Sequence, residues 1–212
     1  MNKIGITIKM SEPARKRGRP RVMDKEAALA VAARLFWERG YEGTSIADLT
    51  KEIGITPPSL YASFGSKDEL FKQALDFYVA RETGERHVVL ENAPTALEGL
   101  TFYLSDAVRS STQDGCPRGC AVATAVLQHA EENAGVAKGV AERRQATFVA
   151  LRSRFDRAVE SGELPEGTDT HALARFYGAI LQGMSAQAAD GACADTLSGI
   201  VKVALSAWPG KR

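Results

Sequence analysis

Cys116 and Cys120 stand four residues apart in Gly115-Cys116-Pro117-Arg118-Gly119-Cys120, with an arginine between the two thiols. A neighbouring cation favours the thiolate, the form that exchanges disulfides and binds soft metals, so the pair is a candidate redox switch. The same spacing equally fits a loop cysteine followed by a small buried residue that opens a helix. A metal would need further ligands. His129, nine positions after Cys120, lies about two and a half helical turns away and is badly placed to supply one. His87 and His171 are isolated. No Gly-rich phosphate loop, Ser/His/Asp set or paired acidic motif stands out, so no catalytic residue, metal or cofactor is expected.

A second group of residues has the chemistry of polyanion binding. Ala14 to Arg21, ARKRGRPR, carries five basic residues in eight, with Arg17-Gly18-Arg19-Pro20 at its centre. Such a segment is either a solvated tail or an arm suited to the narrow minor groove of A·T-rich DNA. In the second case Arg17 and Arg19 would insert while Gly18 avoids clashes. The net charge of +1 conceals a split: residues 1–67 hold 12 Lys/Arg against 7 Asp/Glu, and the rest hold 15 against 19. A basic first third on a mildly acidic remainder points to a nucleic-acid partner for that third alone.

The elements that must position these groups read as helices throughout, which makes the chain all-α. The first helix opens near Asp24 and stops at Gly40. A second opens at Thr44, whose hydroxyl can cap it, and ends at Gly54. A third opens at Thr56 and ends before Gly65. The pair Ser45–Ile53 and Pro57–Phe64, joined across Gly54-Ile55-Thr56, has the spacing of a helix-turn-helix over about 45–64. Pro57 and Pro58 take the first helical positions, where no N–H is needed, and give the third helix a rigid, uncharged entrance. Ser66 and Glu69 form a capping box that launches a long fourth helix, expected to join two parts of the chain rigidly. Further helices are expected at Thr95–Thr112, with a second capping box at Thr95 and Glu98, and at Cys120–Asn133, Val136–Ser161, Thr170–Ala189 and Asp195–Trp208.

Phe36 to Phe71, FWERGYEGTSIADLTKEIGITPPSLYASFGSKDELF, resembles the DNA-binding domain of TetR/AcrR-type bacterial transcriptional regulators. The resemblance rests on the Gly-Tyr ending the first helix, Thr44-Ser45-Ile46, Leu60-Tyr61, Phe64 and Ser66-Lys67. It is close over Val22 to about Glu82 and looser beyond, where QGMSAQAADG fits. It implies a homodimeric repressor with two helix-turn-helix heads on a palindromic double-stranded operator, released by a small-molecule effector whose identity is open. Carried over by position, Thr44, Tyr61 and Lys67 would touch phosphates and Pro57, Pro58, Ser59 and Ala62 would face bases, with Ser45 and Thr56 beside them. Members often carry a charged or amide residue where Pro57 stands, so direct base readout is expected to be sparse.

The implied division is a basic arm over 1–21, a head over 22–82 and an effector and dimerisation domain over 83–212. Phe102, Tyr103, Val126, Phe148, Arg152, Phe155 and Tyr177 are the pocket candidates, since pockets commonly open between bundle helices. By resemblance, the last two helices, with Gly178-Ala179, Gly183, Ser185-Ala186 and Ala189, then Leu197, Ile200, Val201, Ala204 and Leu205, form the dimer interface. An effector-free DNA-binding protein and a thiol-operated repressor are the alternatives. No apolar run is long enough for a membrane helix, no signal segment is legible at the start, and three cysteines make a poor disulfide framework. These together imply the cytoplasm.

Overall fold

The computed structural model describes residues 24–210, all of whose regular elements are helices. Arg17 and Arg19, and the rest of the basic arm, lie outside the described residues.

The first helix, α1 (Lys25–Arg39), starts at Asp24, whose carboxylate accepts from the N–H groups of Glu26 and Ala27. The second, α2 (Ile46–Ile53), is capped by Ser45 and not by Thr44. The Ser45 hydroxyl accepts from the Asp48 N–H while the Asp48 carboxylate accepts from the Ser45 N–H at 3.0 Å. Thr44 fails as the cap because it is turned inward, wholly buried, with its hydroxyl donating to the Gly40 carbonyl at 2.7 Å. Gly54 then takes the left-handed conformation (φ 77°, ψ 32°), which a side chain would resist, and swings the chain into α3 (Pro57–Phe64). Thr56 caps α3, with Pro57 and Pro58 at its first two positions. Ser66 and Glu69 make the expected reciprocal cap of α4 (Lys67–Glu82).

These four helices share one core, with Leu49, Leu60 and Leu70 fully buried and Phe36 packed edge-on against Phe71 at 4.9 Å between ring centres. Burial of such side chains contributes about 1.5–3 kcal/mol each.

Beyond α4, a short helix that the sequence reading missed, α5 (Gly84–Asn92), packs against α6 (Ala96–Ser111). The Thr95 hydroxyl accepts from the Glu98 N–H, but Glu98 does not close a capping box. The Glu163 carboxylate, from a distant turn, takes the Ala96 N–H instead. The helix expected over Cys120–Asn133 is reduced to α7 (Ala121–Thr124) and a 3₁₀ turn at Glu131–Asn133. Between them the chain turns through Val126 at φ 50°, a conformation unfavourable for a β-branched residue. Then come α8 (Ala134–Glu160), α9 (Thr170–Ala189) and α10 (Ala194–Ser206). A second core joins α5, α6, α8, α9 and α10 around Leu100, Leu104, Leu151, Phe155, Tyr177 and Trp208.

The two cores do not divide at the end of α4. Ala121 and Val122 of α7, and Val136 and Val140 from the first turns of α8, are buried in the first core with the head helices. The head is therefore completed by residues roughly forty to sixty positions beyond its own last helix.

Candidate nucleic-acid interface and interior cavity

Leu60 and Phe64 fasten α3 inward, and the consequence is an outward face made of Pro57, Pro58, Ser59, Tyr61 and Ala62. Tyr61 is half exposed, and Ser45 and Thr56 flank this face at the caps of the two motif helices. The Thr56 and Ser59 hydroxyls lie 2.9 Å apart, so the leading turn presents a paired hydroxyl surface with no charge. The N-terminal end of α3 also carries the positive end of the helix dipole, which favours an anion, while Pro57 and Pro58 offer no N–H and that of Ser59 is taken by Thr56. Lys67 supplies the nearby cation at the start of α4. Its ammonium lies 4.2 Å from the centre of the Tyr41 ring, and partial burial draws its pKa down against the opposing pull of Asp68 and Glu42. Thr44, expected at a phosphate, is the exception among these residues. Completely buried and bonded to Gly40, it shapes the turn before α2.

Behind the head, α4 to α9 line a cavity of about 780 Å³ that is partly open to solvent. Tyr103 and Phe148 line it, as do Val79, Cys120, Val122 and Gln182. The other five residues expected there do not. Phe155 and Tyr177 are fully buried in the second core against Trp208, with the Tyr177 hydroxyl donating to the Ala204 carbonyl at 3.1 Å. Arg152 faces solvent beside Asp156 at 3.6 Å, Phe102 is 38% exposed, and Val126 packs on the head core. Helical periodicity separates buried from exposed faces, but it does not separate a packed wall from a hollow one.

Sequence reasoning missed the polar wall formed by His87, Arg86, Arg143, Arg144 and Arg175. His87 has a defined tautomer: the Thr83 carbonyl, 2.8 Å from Nδ1, can only accept, so Nδ1 carries the proton. The Tyr103 hydroxyl donates toward Nε2 at 3.3 Å, and burial pushes that phenol up to about 12. Arg86 is held by the Asp106 carboxylate at 2.8 Å and by Ser110.

The cysteine segment is pinned to α9. The Cys120 N–H donates to the buried Ser185 hydroxyl at 2.7 Å, and Arg118 donates to the carbonyls of Ala188 and Ala192. Arg118 is thus committed to α9 and does not serve as a partner for a thiolate. Cys116 is exposed, Cys120 is half-buried at the cavity wall, and both are free thiols. Among the described residues no cluster of His, Cys, Asp and Glu could hold a metal, and no helix is long and apolar enough to cross a membrane.

Known proteins share this arrangement. Residues 28–74 match the bacterial regulatory proteins of the tetR family, and residues 96–192 match the tetracyclin repressor-like C-terminal domain. The chain is 34% identical over 194 residues to the HTH-type transcriptional repressor ComR of Escherichia coli K12, covering 91% of this chain and 92% of that one. It is 38% identical over 112 residues to the repressor BdcR of the same organism, covering 53% of this chain and 57% of that one. In structure it is similar to a cysteine-substituted form of the TetR family transcriptional regulator CifR complexed with 26bp double-strand operator DNA. The TM-score there is 0.87 with 42% identity, covering 91% of this chain and all of the other. With both halves of the chain matched and a full-length relative at this identity, the protein belongs to the tetR family of bacterial regulatory proteins.

Proposed function

We propose that the protein is a homodimeric repressor that reads a palindromic operator with α3 and lets go when a small molecule fills the cavity. One observation carries the coupling: Val122 lines the cavity and is at the same time a buried member of the head core. Val79 and Cys120, also on the cavity wall, pack against that core. A molecule that moves this wall moves the packing that orients α1 to α4. The working division is the arm at 1–21, the head at 22–82 and the effector and dimerisation domain at 83–212, with α7 and the start of α8 serving both domains.

An unpartnered face on α9 and α10 supports the dimer. Leu197, Val201 and Ala204 fill the protomer's own core, and Ser185 faces α7. Phe176 and Val203 are exposed, and a side chain added at Gly183 or Gly199 would meet open space, whereas Gly178 lines the cavity. Small residues of this kind let a second copy's helices approach closely.

The test begins with genomic DNA fragments retained by the protein. Their binding is then measured by fluorescence anisotropy, with oligomeric state from sedimentation. A dimer on sites whose half-site centres lie about 34–36 Å apart, or somewhat more on unwound DNA, supports the reading. A monomer at micromolar concentration, or retention without sequence preference, contradicts it. In the arm, replacing Arg17 and Arg19 by alanine should weaken binding most on A·T-rich flanks.

A further inference from the structure

The cavity wall is one-sided in charge. Arg86, Arg143, Arg144 and Arg175 line it, and no Asp or Glu side chain does. Two of the four are compensated from behind the wall, Arg86 by Asp106 and Arg143 by Asp76. Arg144 is held only through Nη1, which donates to the main-chain carbonyls of Val122 at 3.1 Å and Ala125 at 3.0 Å. Burial lowers its pKa with no carboxylate to offset the loss of water. Arg175 rests its guanidinium 3.8 Å from the centre of the Phe148 ring. A guanidinium drawn partly out of water without a counter-ion is costly, and that is the position of Arg144; Arg175, itself exposed, adds a second positive charge at the same wall. The remaining wall mixes apolar side chains, from Val79, Ala107, Val122, Phe148 and Leu181, with uncharged polar ones such as Thr83, Tyr103 and Gln182.

We infer that the effector is a small organic anion with an apolar body, its carboxylate bound by Arg144 with Arg175 close by, and that this binding takes Arg144 from the carbonyls of Val122 and Ala125. The inference rests on the reading of the cavity as the effector site. A neutral molecule would leave the partly buried Arg144 without a counter-ion, and a cation would add a like charge. A carboxylate forms two parallel bonds with a guanidinium, stronger than the bonds to neutral carbonyls.

The two carbonyls have a structural task. Ala125 immediately precedes Val126, whose φ of 50° is a strained conformation for a β-branched side chain and persists only where its surroundings impose it. Ala121 and Val122, the first two residues of α7, are buried in the head core. Arg144 therefore fastens the segment that completes the head, and an anion that recruits Arg144 loosens it.

The experiment compares decanoate, decanamide and decylammonium on the full-length protein, reading the melting temperature and operator affinity by anisotropy. Decanoate is expected to raise the melting temperature and weaken operator binding. Decanamide should act about tenfold or more less effectively, and decylammonium should not act. Arg144→Gln should abolish the preference for decanoate over decanamide and weaken operator binding without any ligand. Arg144→Lys should keep the preference, which separates a lost charge from a misfolded variant. Equal action of decanoate and decanamide overturns the anion assignment and leaves the effector cavity standing. No response to any of the three at millimolar concentration overturns the assignment and removes support from the effector reading as well.

Discussion

The ammonium of Lys67 sits 4.2 Å from the centre of the Tyr41 ring, and the Tyr41 hydroxyl donates to the carboxylate of the adjacent Asp68. A charge on a flexible four-carbon stem is thereby held at the start of α4, close behind the exposed face of α3. Placed this way, Lys67 is suited to a phosphate, which gives affinity without sequence information. Lys67→Ala should weaken all operators alike and lower the slope of log affinity against log salt by about one unit per head. Lys67→Arg should retain most of the slope. The check is a binding titration at several salt concentrations.

Gly119 is expected to resist substitution. Its φ is 84°, and a Cβ there would lie 2.7 Å from the Ser185 carbonyl oxygen on α9. Gly119→Ala should lower stability by about 1–3 kcal/mol, combining left-handed strain with displacement of α9. Cys116→Ser, at an exposed loop position, should leave stability within about 0.5 kcal/mol of wild type. Denaturant unfolding of the two variants measures the contrast.

Asp106 gives the fold an acid-sensitive lock. Burial alone would raise its pKa, but hydrogen bonds and charge from Arg86 and Arg109 outweigh that and hold it below the usual carboxylate value. A depressed folded pKa means the stabilisation is fully present above the unfolded value, about 3.9, and is lost as pH falls through the folded one. Asp106→Ala leaves the Arg86 guanidinium, 7% exposed, without its counter-ion and should cost about 3 kcal/mol at neutral pH. The bond to Arg109, whose side chain is 66% exposed, adds little. Thermal melts from pH 7 down to about 3 should show wild type and variant converging at the acid end.

The head was legible because local chemistry decides it. Asp24, Thr56 and Ser66 are caps, Pro57 and Pro58 fit only a helix start, and Gly54 fits only a left-handed turn. Thr44 misled because adjacent Thr44 and Ser45 both have capping side chains, and burial of Thr44 beneath Leu35 and Gly40 chose between them. The segment after Cys120 misled more deeply. Its alanines and valines have the content of a helix, yet its N–H groups donate to Ser185 and Glu42 and its carbonyls accept from Arg144, all remote in sequence, which ties it into turns. The cavity wall was illegible for a related reason. Arg144 and Arg175 look like ordinary surface arginines until α7 and Phe148 are brought against them.

The role of α3 is tested most directly by titrating single-base variants of a captured operator against wild type, Ser59→Ala and Lys67→Ala. Ser59 is exposed in the leading turn, its hydroxyl 2.9 Å from that of Thr56, and it retains bonding capacity for a base edge. Ser59→Ala should relax preference at one position per half-site by about 1–3 kcal/mol and leave the salt slope unchanged. Lys67→Ala should lower the slope and leave base preference unchanged. The reverse pattern, with base preference altered by Lys67→Ala and only the slope altered by Ser59→Ala, would contradict the assignment of Pro57–Phe64 as the helix that reads the operator.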